Sequence, residues 1–128
     1  MSNVKVGVIG LGRMGKYHVG ILSELPKVDL AAVVDIDPKV RKVIEDTYKV
    51  PGFENYKDIY GKADAVIVAV PTGLHFSITK DLLNAGLHVL LEKPCAHNLN
   101  HARELFQIAE KKDLTLHIGH VERFNGAV

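Results

Sequence analysis

Gly10-Leu11-Gly12-Arg13-Met14-Gly15 and, 20 residues beyond Gly15, Asp35 are the residues whose types and spacing most directly suggest chemistry in this 128-residue chain. The pattern G-x-G-x-x-G suits a loop that turns tightly at Gly10, lets backbone approach a pyrophosphate at Gly12, and lets a helix pack closely at Gly15. Phosphate oxygens then meet free N–H groups and the positive end of the helix dipole. Asp35 offers a carboxylate that accepts hydrogen bonds from ribose hydroxyls and repels a 2′-phosphate, which favours NAD over NADP. Lys39 and Arg41 lie nearby and soften that discrimination, so NADP stays open. Asp37, followed by Pro38, reads as a helix cap.

These residues can act together only if the fold brings them to the ends of neighbouring strands. Val4, Val6, Val8 and Ile9 form an apolar run closed by Gly10, and Met14, Tyr17, Ile21, Leu22 and Leu25 recur at helical spacing until Pro26. Residues 28–34 read as a second strand, ending at Asp35. Val40, Val43, Ile44 and Tyr48 mark the next helix. Between residues 50 and 60 the pattern predicts a turn at Pro51-Gly52, a short strand over 53–56 and a helical turn over 57–60. Residues 65–70 are continuously apolar, the mark of a parallel strand covered on both faces. Leu74, Ile78, Leu82 and Leu83 define a helix that Gly86 ends, and residues 87–91 form another strand. A last helix, capped by Asn98, buries Leu99, Ala102, Leu105, Phe106 and Ala109, and the final strand covers 114–118. Alternation of this kind predicts an α/β fold: a Rossmann-type, doubly wound parallel sheet in three α/β/α layers, as a single domain. Its ligands bind at the carboxyl ends of the strands. There stand Gly10 to Gly15, Asp35, Pro71-Thr72, Glu92-Lys93-Pro94 and Gly119-His120.

Composition narrows the function from another side. Sixteen Lys and Arg against fifteen Asp and Glu leave a net charge of +1, which argues against nucleic acid as a partner. The apolar runs are far shorter than the ~20 residues of a spanning helix, so no membrane role is expected. The single Cys95 allows no internal disulfide, and the N-terminus lacks a signal-peptide pattern, which together imply a cytoplasmic protein.

Residues 8–18, Val70-Pro71-Thr72-Gly73-Leu74-His75 and Glu92-Lys93-Pro94 together resemble the N-terminal half of the Gfo/Idh/MocA oxidoreductases, the family of glucose-fructose oxidoreductase and inositol dehydrogenase. The likeness covers nearly the whole chain. It implies NAD(P)-dependent hydride transfer to or from a sugar, polyol or nucleotide-sugar hydroxyl. By the same resemblance Lys93 is the catalytic lysine, Glu92 faces the nicotinamide ribose, and Pro94 fixes the turn. Pro71, Thr72 and His75 line the cofactor between pyrophosphate and nicotinamide. Read without the resemblance, Lys93 is a solvated lysine paired with Glu92, Thr72 a helix cap and His75 a first-turn residue. His18 is typical of the family, and packing or hydrogen bonding suits it best. Residues 118–125 resemble members acting on nucleotide sugars and bring Arg123 and Asn125 close to the expected nicotinamide site.

The resemblance also implies a second domain that supplies most of the substrate pocket and further catalytic residues. Residues 1–128 are therefore expected to be the cofactor domain, with the C-terminal domain absent from this chain. Cofactor binding without turnover follows, as does self-association through an uncovered apolar flank. Two alternatives stay open. One is a stand-alone NAD-binding module for sensing or interaction. The other is a metal site from Cys95, His97, His101, His117 and His120, although ordinary loop and surface histidines explain them better.

Overall fold

A computed structural model describes residues 3–92 and 99–119. Six parallel strands form one sheet in the order β3-β2-β1-β4-β5-β6: β1 (Val4–Ile9), β2 (Val28–Val34), β3 (Gly52–Phe53), β4 (Ala65–Val68), β5 (His88–Glu92) and β6 (Leu116–Gly119). Four helices connect them: α1 (Arg13–Glu24), α2 (Pro38–Tyr48), α3 (His75–Asn84) and α4 (Leu99–Lys111). The winding direction reverses between β1 and β4, and a crevice opens there at the strands' carboxyl ends.

Strand alternation feeds two cores. Val66, Val68, Val89 and Leu91 pack under Leu82, Leu83 and Leu105 of α3 and α4, while Val6, Val8, Val33 and Ile67 meet Val19 and Leu22 of α1 and Ile44 of α2. Full burial of a leucine such as Leu82 or Leu83 stabilises by about 1.5–3 kcal/mol relative to exposure. Over β4 and β5 the face carrying α1 keeps an open groove of about 250 Å³, with Leu22, Ile67 and Leu90 among its lining.

Local chemistry sets the helix ends. The Asp37 carboxylate accepts the Lys39 N–H and Pro38 opens α2, as expected. Gly86, at φ +89°, closes α3 by donating its N–H to the Leu83 carbonyl, while the Leu87 N–H reaches Leu82.

Several boundaries differ from the sequence pattern. Strand β3 is Gly52–Phe53 rather than 53–56, and a 3-10 turn already begins at Tyr56. Strand β4 ends at Val68, two residues early, because the chain turns off to carry Ala69 against Gly10 and Val70 toward His75. Strand β6 starts at Leu116, since the Leu114 N–H is still bonded to Ala109 at the end of α4. Phe106, expected inside, is 46% exposed, and Tyr17, Ile21, Leu25 and Val43 are exposed as well. The buried face of α1 is Gly15, His18, Val19 and Leu22. Asn98, the expected cap of α4, lies outside the described residues.

Candidate functional site

The glycine loop owes its shape to three contacts. Gly10 adopts φ +93°, and a Cβ there would stand 2.6 Å from the Ala69 carbonyl oxygen of the neighbouring strand end. A Cβ on Gly15 would fall 1.7 Å from the Gly10 carbonyl oxygen, so α1 rests directly on the loop that precedes it. Gly12 is the opposite case, with nothing within 4 Å of a Cβ. No side chain caps α1, so the N–H groups of its first turn meet no capping side-chain oxygen.

Asp35 follows the last residue of β2. Its Oδ2 accepts the Leu11 N–H at 2.8 Å and its Oδ1 accepts the Asp37 N–H at 2.9 Å, while its own N–H donates to Phe53. Both oxygens are thereby oriented, and each keeps a lone pair for a further donor.

Loop and carboxylate share one cavity of about 620 Å³, within the usual range for cofactor pockets. Gly10, Leu11, Gly12, Arg13 and Met14 line one side, Asp35 and Ile36 a second, and Val70, Pro71 and Leu74 a third. Gly15 lies beneath, buried. The donor set fits a dinucleotide: a helix N-terminus beside an open glycine for the pyrophosphate, and a fixed carboxylate for ribose hydroxyls.

The remaining candidates divide. His75 opens α3 with its ring 2% exposed, and its Nε2 donates to the Val70 carbonyl at 2.6 Å. It ties the β4 exit to α3, and the segment reaches the cavity through Val70, Pro71 and Leu74. Thr72 begins a 3-10 turn over Thr72–Leu74. The Glu92 carboxylate, at the end of β5, accepts from Nε2 of His18 on α1, both side chains being largely buried. That pairing gives His18 the hydrogen-bonding role expected of it. Lys93, Pro94, Arg123 and Asn125 lie outside the described residues.

So do Cys95, His97 and His120 of the alternative metal set. Of its other members, His101 stacks on Phe76 with ring centroids 4.0 Å apart, and His117 belongs to β6. Among the described residues no three His, Cys, Asp or Glu side chains gather around one point.

Ile36, Glu54 and Tyr56 also belong to the cavity wall, though their types and spacing do not mark them as site residues. The Tyr56 hydroxyl donates to the Asp81 carboxylate of α3. Burial, then that hydrogen bond and the carboxylate's charge, raise the phenol's pKa far above its ordinary value, and Tyr60 is raised mainly by burial. Only the pairing of β3 with β2 brings this stretch to the site.

Residues 4–120 match the oxidoreductase family described as GFO_IDH_MocA, NAD-binding Rossmann fold. Over the full chain the sequence is 29% identical to a UDP-N-acetylglucosamine 3-dehydrogenase of Acidithiobacillus ferrooxidans, covering 40% of that protein. It is 32% identical to the rhizopine catabolism protein MocA of Rhizobium meliloti, over 97% of this chain and 39% of that one. The crystal structure of scyllo-inositol dehydrogenase from Lactobacillus casei, with bound NAD(H) and scyllo-inositol, superposes with a TM-score of 0.88 at 28% identity. It covers 96% of this chain and 38% of that one. The chain thus spans about two fifths of the length of these relatives.

Proposed function

The chain belongs to the Gfo/Idh/MocA oxidoreductase family through its NAD-binding Rossmann fold, and from that membership we propose that it is the cofactor domain of a dehydrogenase acting on a sugar, polyol or nucleotide-sugar hydroxyl. The observation that carries the reading is the meeting of the uncapped α1 terminus, the open face of Gly12 and the oriented Asp35 carboxylate in one cavity. The substrate class rests on the relatives, whose names include a nucleotide-sugar dehydrogenase and an inositol dehydrogenase.

Bound there, the dinucleotide supplies a two-electron hydride acceptor or donor. Backbone N–H groups at Gly12 to Met14 hold the pyrophosphate, and Asp35 holds the adenosine ribose. Pro71 shapes the wall toward the nicotinamide, and His75, through its bond to the Val70 carbonyl, holds the segment that carries Thr72. Lys93 donates a hydrogen bond or proton to the reacting oxygen, where its cationic form stabilises developing negative charge. Glu92, anchored by His18, fixes the strand end from which Lys93 departs.

Calorimetric titration with NAD and NADP tests this reading. NAD binds in preference, and Asp35→Ala weakens it by about tenfold or more, since a pair of charge-assisted hydrogen bonds is lost. Absence of heat with either nucleotide would sink the proposal. The chain alone is expected to bind without turning over, and substrate-dependent NADH formation across a panel of sugars and polyols would refute that part.

A further inference from the structure

Asp35 is not the only carboxylate at the ribose end of the cavity. Glu54 also lines it, and together with Arg13 these are the charged side chains on the described wall. Their placement follows from the sheet: Val34 pairs with Phe53 in the parallel β2–β3 ladder, and Asp35 and Glu54 are the next residues on each strand. The Asp35 N–H donates to the Phe53 carbonyl at 3.1 Å, so the strands still run together as they leave the sheet. Neighbouring strands lie about 4.8 Å apart, which brings the two acidic residues out side by side. Arg13, the remaining charged residue of the wall, is the first residue of α1. Lys39 and Arg41, which the sequence offered as softening charges, do not line the cavity.

We propose that Glu54 is a second determinant of cofactor choice, acting with Asp35 to exclude a nucleotide bearing a 2′-phosphate. The inference rests on the dinucleotide reading of the cavity. Asp35 accepts hydrogen bonds from the ribose and so contributes to NAD binding directly. Glu54 is solvent-exposed, makes no such contact necessary, and works through its charge. A 2′-phosphate carries close to two negative charges, whereas NAD has only a hydroxyl there. Because Glu54 is exposed to solvent, the added repulsion is modest and screened by salt.

The test is titration calorimetry of wild type, Glu54→Gln and Glu54→Lys with NAD and NADP, at low and at moderate salt, with weak NADP binding followed by displacement of NAD. Glu54→Gln is expected to raise NADP affinity by about three- to tenfold at low salt, less at higher salt, and Glu54→Lys to raise it further. NAD affinity stays within about twofold for both. An unchanged NADP affinity in both variants overturns the proposal. So does a parallel change for NAD and NADP, which would make Glu54 a general contact rather than a discriminator. Wild-type NAD binding in the same titrations reports separately on the dinucleotide reading, because that reading fails only if NAD itself gives no heat.

Discussion

The Asp35 carboxylate holds the Leu11 backbone N–H through Oδ2 at 2.8 Å, joining the end of β2 to the loop that β1 feeds. A residue expected to serve the ligand therefore also braces the loop against which the ligand lies. Asp35→Asn replaces one acceptor oxygen with an amide that can only donate, while two backbone N–H groups still point at the side chain. A stability loss of about 1–2 kcal/mol is expected in urea unfolding without nucleotide. Unchanged stability would show that the carboxylate serves the ligand alone.

Gly12→Ala and Gly15→Ala should fail in different ways. At Gly15 the new Cβ would overlap the Gly10 carbonyl oxygen, a backbone atom that cannot move aside cheaply. Destabilisation of about 3 kcal/mol or more is expected, read as a lowered unfolding midpoint. At Gly12 the methyl meets no protein atom, so the fold should hold while NAD affinity falls, because the methyl occupies the space proposed for the pyrophosphate. Near-normal NAD binding by Gly12→Ala would move the pyrophosphate elsewhere.

The pair between His18 and Glu92 is a second brace, from α1 to the end of β5. With side-chain exposures of 8% and 12%, removal of the imidazole leaves a carboxylate with little access to water. His18→Ala should cost about 3 kcal/mol, and His18→Gln, which restores an N–H donor, should recover part of it. Equal losses in the two variants would argue that imidazole packing, not the hydrogen bond, is what Glu92 needs.

Tyr56 makes an alkaline prediction. Its phenol is held protonated in the folded chain by burial and by its bond to Asp81, whereas in the unfolded chain it titrates near its ordinary value of about 10. The stabilisation is present in full below that value and is lost as pH rises toward the folded-state pKa, because only the unfolded chain then releases the proton. Thermal melts from pH 8 to pH 11 should show wild type losing more stability than Tyr56→Phe, and parallel curves would count against it. At neutral pH the substitution itself should cost about 1–2 kcal/mol.

The parts of the fold that could be read from sequence are those governed by local chemistry. Strand β2 matches its apolar run residue for residue, bounded by Pro26 and Asp35, and the Asp37-Pro38 cap is where its side chains demand. Helix α1 misleads because two of its buried positions, Gly15 and His18, are not apolar bulk, and hydropathy spacing pointed instead to Tyr17, Ile21 and Leu25. The fingerprint and Asp35 were legible because their spacing is itself the signal. Glu54 and Tyr56 were not, since their place at the site depends on a two-residue strand pairing with β2. Nor could 74 residues of separation suggest the His18–Glu92 contact, which exists only after β4 and β5 have been laid beside β1.

The central place of β1 has a consequence for how the protein is made. Strand β1 pairs with β2 on one side and with β4 on the other, and β4 does not begin until Ala65. Its second edge must therefore wait until β2 and β3 have been made and β4 emerges, open to any other strand that reaches it first. Because the crevice lies at the seam between β1 and β4, nascent chains shorter than that carry the phosphate loop without its facing wall. Capture of NAD should begin only once β4 has been made, and cofactor present in the cell at that moment favours the correctly closed sheet over its competitors.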